Sequence, residues 1–237
     1  MKSINRLLVR EHLQQILNVA VFVGIFLVFV ACGDDIKNEP IITIDITIGE
    51  FDVHAVPLEN SNNPNQGPLG SGSLSFFFSG NDSGTFNVSG SLATNQKQND
   101  GVGALIGPFE VQDVQGEGFS MLGFHPIGND KAEIFLIGAS GNVTPLQSLV
   151  PGNYPIGPSA PFTGFYLMGI KIVEFWAGDK DLIKAADKAY VISQGILTIG
   201  IRDSTHLTGS FSGTAALQPD NQSQTTLSRS LNPLMSK

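Results

Sequence analysis

Ile42-Thr43-Ile44-Asp45-Ile46-Thr47-Ile48 alternates without a break, and only an extended chain places such a pattern on one face. The four isoleucines share one side of a strand, while Thr and Asp share the other. One buried face and one wet face is the pattern of an antiparallel sheet.

The same period recurs along the chain. Leu74, Phe76 and Phe78 alternate with Ser73, Ser75, Phe77 and Ser79, and Phe86, Val88 and Leu92 return after the turn Gly80-Asn81-Asp82-Ser83-Gly84. Two period-2 runs joined by a glycine-bounded turn read as a hairpin. Val102 to Val114 supplies one or two strands, with a break expected near Gly107-Pro108. Phe119 to Phe124 and Lys131 to Ile137 form a further pair. Gly195 to Ile201 and His206 to Leu217 form another, with Leu197, Ile199 and Ile201 inward on one side. Leu207, Gly209, Phe211, Gly213 and Ala215 face them. His206, Thr208, Ser210, Ser212 and Thr214 point outward.

Phe165 to Phe175 is a strongly apolar run and is expected to be a core strand. Gly152 to Gly157, with its proline, suits an edge. Glu59 to Gly72 is too polar and turn-rich to pack and reads as an exposed loop. One stretch is helical in pattern: from Asp179 to Tyr190, Leu182, Ile183, Ala186 and Ala189 share a face. The expected fold is all-β, an antiparallel β-sandwich or related β-sheet domain of roughly 8–10 strands, with one short helix near 179–190. The β-rich domain spans 41–217, and 218–237 forms a flexible tail.

The single cysteine, Cys32, excludes an intramolecular disulfide framework. It stands where an uncharged run, Val19 to Ala31, meets the polar stretch Gly33-Asp34-Asp35-Ile36-Lys37-Asn38-Glu39-Pro40, and Lys2, Arg6 and Arg10 precede the run. This is the layout of a secretory signal. Phe29-Val30-Ala31-Cys32 resembles the lipobox of bacterial lipoproteins, although Phe29 stands where an aliphatic residue is usual. The resemblance implies a signal peptide over 1–31, cleavage between Ala31 and Cys32, diacylglycerol on the Cys32 thiol and acylation of the new amino group. Residues 32–40 would then be a lipidated terminus and polar tether. Gly33 after the cysteine, in place of a retention aspartate, implies the outer membrane of the cell envelope. Two or more acyl chains suffice for stable anchoring, at about 0.8 kcal/mol per buried CH₂. The alternative is an uncleaved N-terminal anchor without lipid.

The formal net charge is −8, and loss of the basic leader makes the remainder more acidic. Such a surface disfavours nucleic acid and anionic headgroups, which need a positive footprint. No phosphate-binding loop, nucleophile elbow or H-E-x-x-H motif occurs. His54, His125 and His206 lie far apart and carry no ligand spacing, so neither a catalytic nor a metal site is assigned from sequence. Glu110, Glu117, Glu133 and Glu174 lie on or beside strands with no local pattern that pairs them, although a carboxylate pair is what glycoside hydrolysis requires. Asp35 to Pro40, Gly80 to Gly84 and Phe124 to Asp130 cluster side-chain oxygens without calcium-loop spacing, which leaves Ca²⁺ an alternative that no motif specifies. Tyr166, Phe175 and Trp176 sit in the most apolar run and are expected in the core. The Asn-x-Ser/Thr triplets at Asn81, Asn87, Asn142 and Asn221 follow from composition.

The functional expectation is a lipid-anchored envelope protein acting as a non-enzymatic binding or structural module for a glycan or protein partner. The rival from another class is a β-sandwich hydrolase with two facing carboxylates.

Overall fold

The computed structural model describes residues 41–57, 69–92, 99–111, 114–139, 149–177, 182–203 and 205–219, with backbone alone over 108–117 and 176–177. The signal segment, Cys32, the tether, most of the 59–72 loop and the tail from 220 onward lie outside the described residues.

Eleven strands follow in order: β1 (Thr43–His54), β2 (Val56–Pro57), β3 (Ser71–Gly80), β4 (Gly84–Ser91), β5 (Gly101–Val111), β6 (Val114–Ile127), β7 (Lys131–Ala139), β8 (Gly152–Ile156), β9 (Phe162–Lys171), β10 (Lys188–Arg202) and β11 (His206–Leu217). Helices α1 (Ile172–Ala177) and α2 (Leu182–Ala185) lie between β9 and β10. All strands belong to one sheet, in the order β2-β5-β4-β3-β1-β11-β10-β8-β9-β7-β6, and β6 pairs back onto β5. Ten strands therefore close into a barrel, with the two-residue β2 beside β5.

The all-β class holds, but the expected sandwich is replaced by this closed sheet. Alternation tells which side chains point inward; it is silent on whether the first and last strands meet. Here β5 makes that junction. It pairs with β6 from Gly101↔Phe124 to Val111↔Val114, and it meets β4 at Ser91↔Val102. The Leu92 amide donates to the Val102 carbonyl across the seam at 3.1 Å. The strand over 102–111 is continuous, without the expected break at Gly107-Pro108.

Closure demands curvature, and irregularities supply it. Register shifts fall in β1 between Ile46 and Gly49, in β10 between Ile192 and Gln194 and between Ile199 and Ile201, and between β7 and β9 near Ala132/Ile134. Bulges bend and twist a strand, which is how a sheet is made to close. They also correct two inward assignments. Ile48 lies at the β1 bulge with φ +52° and is 70% exposed. Ile201 follows the second β10 bulge and is 60% exposed. Past the first bulge, Phe51 and Val53 resume the inward face.

The interior is filled with rings. Phe76 lies 4.7 Å from Phe135, 5.1 Å from Phe86, 5.3 Å from Tyr166 and 5.8 Å from Phe211, and Phe135 and Phe211 stack at 4.8 Å. Ring pairs at these separations add about 0.5–1.5 kcal/mol beyond the burial of their area. Space for them comes from glycine. A Cβ on Gly49 would stand 2.4 Å from the Phe211 ring, and one on Gly123 would stand 2.8 Å from the Phe86 ring.

A second apolar cluster lies outside the wall formed by β6, β7 and β9. Leu122, Phe124, Ile134, Leu136, Phe165 and Leu167 pack there with Ile172 and Phe175 of α1 and Leu182 and Ile183 of α2. Over 119–124, 134–137 and 165–167 these strands are buried on both faces, which is why those stretches are almost continuously apolar. The strand expected over 165–175 thus ends at Lys171. Ile172 and Phe175 are at helical spacing, and Phe175 reaches Phe124 at 5.6 Å. Of the helix expected over 179–190, residues 182–185 are helical, 179–181 lie outside the described residues and Lys188 onward is β10. Ala189 and Tyr190 pair with Leu167 and Tyr166 in the ladder, and that pairing overrides the local helical pattern.

Much of the rest of the wall presents Ser73, Ser75, Thr208, Ser210 and Ser212 outward, with Phe77 and Ile196 also exposed, while phenylalanines fill the inside. This polarity is the reverse of that in membrane-spanning barrels, which are apolar outside and polar within. No helix among the described residues is long and apolar enough to cross a membrane.

The bulge gives a test. A β-branched residue in the left-handed region is strained, and Ile48 recovers little by burial. Ile48→Gly should raise the urea unfolding free energy by about 1 kcal/mol. A loss of stability would show that the isoleucine has packing that the exposed bulge does not provide.

Candidate functional site

Strand registers define two rims. At the first, β1 begins, β3 turns into β4, β6 turns into β7, and β11 ends. At the second, β1 ends at His54 beside His206, where β11 begins.

Polar side chains crown the aromatic fill at the first rim. Asp82, in the turn between β3 and β4, reaches β10 and accepts from Lys188 Nζ at 2.6 and 2.8 Å. The Tyr190 hydroxyl donates to the same carboxylate. Tyr166, opposite Tyr190 in the ladder, buries its hydroxyl beside Glu133. Burial, and next the charge of nearby Glu133, push its phenol far above the ordinary range. Burial also raises Tyr190, followed by its hydrogen bond to Asp82. His125 pairs with Asp100 at 2.7 Å and stands edge-on to Phe86.

The second rim carries a different chemistry on its outer side. His54 ends β1 and His206 opens β11, and the two are cross-strand partners. Their rings stack at 4.5 Å with an interplanar angle of 17°. Asp52, two residues before His54 and therefore on the same face, accepts from His206 Nε2 at 2.7 Å. Asp52, His54 and His206 each present one donor atom, all within 4.8 Å of one another. Asp203 builds the adjoining turn by accepting from the backbone amides of Thr205 and His206 at 3.0 and 2.8 Å. Those two amides hold its carboxyl below the usual value. Arg202 donates to the Leu149 carbonyl at 2.8 Å and ties the end of β10 to the segment before β8.

The residues weighed in sequence are distributed as follows. Cys32 and the Ala31–Cys32 bond lie outside the described residues, as do Asn142 and Asn221. The side chains of Glu110, Glu117 and Trp176 are also outside them. Glu133 shares the interior face of β7 with Phe135, whereas Glu174 sits on α1 outside the wall, so these two do not form a facing pair. Tyr166 and Phe175 are core residues. Of His54, His125 and His206, the first and last come together, although 152 positions separate them in sequence. The signal that anticipates this is coarse: each stands at the end of a period-2 strand, so the pairing of those strands decides their meeting.

No family model, curated protein or solved structure matches this chain.

The two raised phenols fix a pH response. Unfolded tyrosines ionise near 10, while the folded ones keep their protons to higher pH. Their contribution is present in full below pH 10 and is lost as pH rises above it, at up to about 1.4 kcal/mol per pH unit for each tyrosine. Unfolding free energies should be level with respect to these groups up to about pH 9 and should fall toward this slope above pH 10, and Tyr166→Phe should flatten the fall. An unchanged slope in the variant would show that other groups set the alkaline limit.

Proposed function

We propose that this chain is a lipid-anchored protein of the bacterial cell envelope, tethered through Cys32, whose barrel is a non-enzymatic binding or structural module. The observation that carries the module reading is the packed interior. Phe76, Phe86, Phe135, Tyr166 and Phe211 occupy the centre where other barrels hold a small ligand, which leaves the outer wall and the two rims as contact surfaces. The Ser/Thr face of β3 and β11 suits polar partners such as glycan or the surface of another protein.

The anchor is supported by the lipobox-like Phe29-Val30-Ala31-Cys32 after an apolar run. Described structure begins at Ile41, nine residues beyond Cys32, and β1 starts at the first rim. A tether of that length reaches at most about 30 Å. The first rim would therefore stay near the membrane, and the second would face away from it.

Intact mass of the protein extracted from a bacterial membrane tests this reading beside Cys32→Ala. The wild type should lack residues 1–31 and carry added acyl mass, while the variant should keep its leader. A wild type that retains Met1 and gains no lipid would make the apolar run an uncleaved anchor.

A further inference from the structure

We infer that Asp52, His54 and His206 form a binding site for a divalent late first-row transition metal, of the Zn²⁺ class, on the outer side of the second rim. The inference goes beyond the envelope reading and does not depend on it.

Three observations converge. The donors sit on adjacent strands in register, His54 directly opposite His206 and Asp52 two residues before His54, so the backbone ladder holds their origins in place. Sites carried by strands are better preorganised than sites on loops. The donor atoms already lie within 4.8 Å of one another. Ligand atoms about 2.0–2.1 Å from a tetrahedral zinc are about 3.3 Å apart, so closure requires about 1.5 Å of side-chain movement. Asp52 and His54 are exposed, which leaves them room for it. Finally, the turn bearing His206 is pinned by Asp203 through two backbone amides.

Donor chemistry selects the ion. Two imidazoles and one carboxylate suit Zn²⁺, Co²⁺, Ni²⁺ or Cu²⁺, whereas Ca²⁺ and Mg²⁺ take sets of six or more oxygens. The hydrogen that His206 Nε2 now donates to Asp52 marks the place of the cation. When the ion takes both the carboxylate oxygen and Nε2, that proton moves to Nδ1, and no net proton is needed from elsewhere. Three protein ligands leave a position open to water or to a donor from a partner. The site would be exchangeable, unlike closed structural zinc sites with four protein ligands.

A solvated cross-strand cluster is the competing account. An exposed His–Asp pair contributes little to stability, and stability would be its only role. The two accounts part on metal uptake. Calorimetric titration of the tag-free full chain in detergent with Zn²⁺ should give one site. Binding should weaken about tenfold or more in each of His54→Ala, His206→Ala and Asp52→Asn, and stay unchanged in His125→Ala. Co²⁺ should give a ligand-field spectrum with imidazole ligation that is lost in the same three variants. Circular dichroism of each variant separates loss of ligands from loss of fold, and His206→Gln serves where alanine perturbs the turn. Titrations that match wild type in His54→Ala and His206→Ala, or a wild type that takes up no Zn²⁺ at millimolar ion, would overturn the inference.

Discussion

Everything in this fold depends on the ring cluster around Phe76. Phe76, Phe86, Phe135, Phe211 and Tyr166 come from β3, β4, β7, β11 and β9, so half of the barrel's strands meet in one set of contacts. Full burial of each ring contributes about 1.5–3 kcal/mol. Such a centre requires a matching wall. Glycines at 49 and 123 admit the rings, and bulges in β1 and β10 curve the strands around them.

A filled interior shifts functional chemistry to the ends. The first rim holds Asp82 between Lys188 and Tyr190, a half-buried arrangement that ties the β3–β4 turn to β10. The second rim has its polar groups outside the wall, with two imidazoles and a carboxylate open to solvent. On the proposed reading, the first end closes the barrel and the second is open to a ligand. With the chain entering at the first rim, the proposed tether and the proposed metal site lie at opposite ends of β1, a strand of about 40 Å before tilt.

Much of the wall was legible from period-2 patterning. Ile44, Ile46, Leu74, Phe76, Phe78, Phe86 and Val88 line the interior as alternation places them, and β6–β7 and β10–β11 are the hairpins read from sequence. What failed was long-range or irregular. Closure rests on Ser91 meeting Val102 and on β5 meeting β6, and alternation is the same in an open sheet. Ile48 and Ile201 continued the pattern but fell at bulges, where the face switches. Leu182 to Tyr190 was helical in spacing, yet Ala189 and Tyr190 found better partners in β9. The metal-ligating candidates were invisible for a similar reason. Asp52 and His54 carry the spacing of one strand face, but His206 arrives from the far end of the chain.

Closure is the claim from which the filled interior and the two rims follow. It is tested most directly by nuclear Overhauser contacts in the isotopically labelled protein across the β4–β5 seam. The account predicts a contact between the Leu92 amide and Val102, together with the β5–β6 set from Gly101–Phe124 onward. A β5 that meets β6 but shows no contact with β4 would mean an open sheet, and the barrel would be wrong.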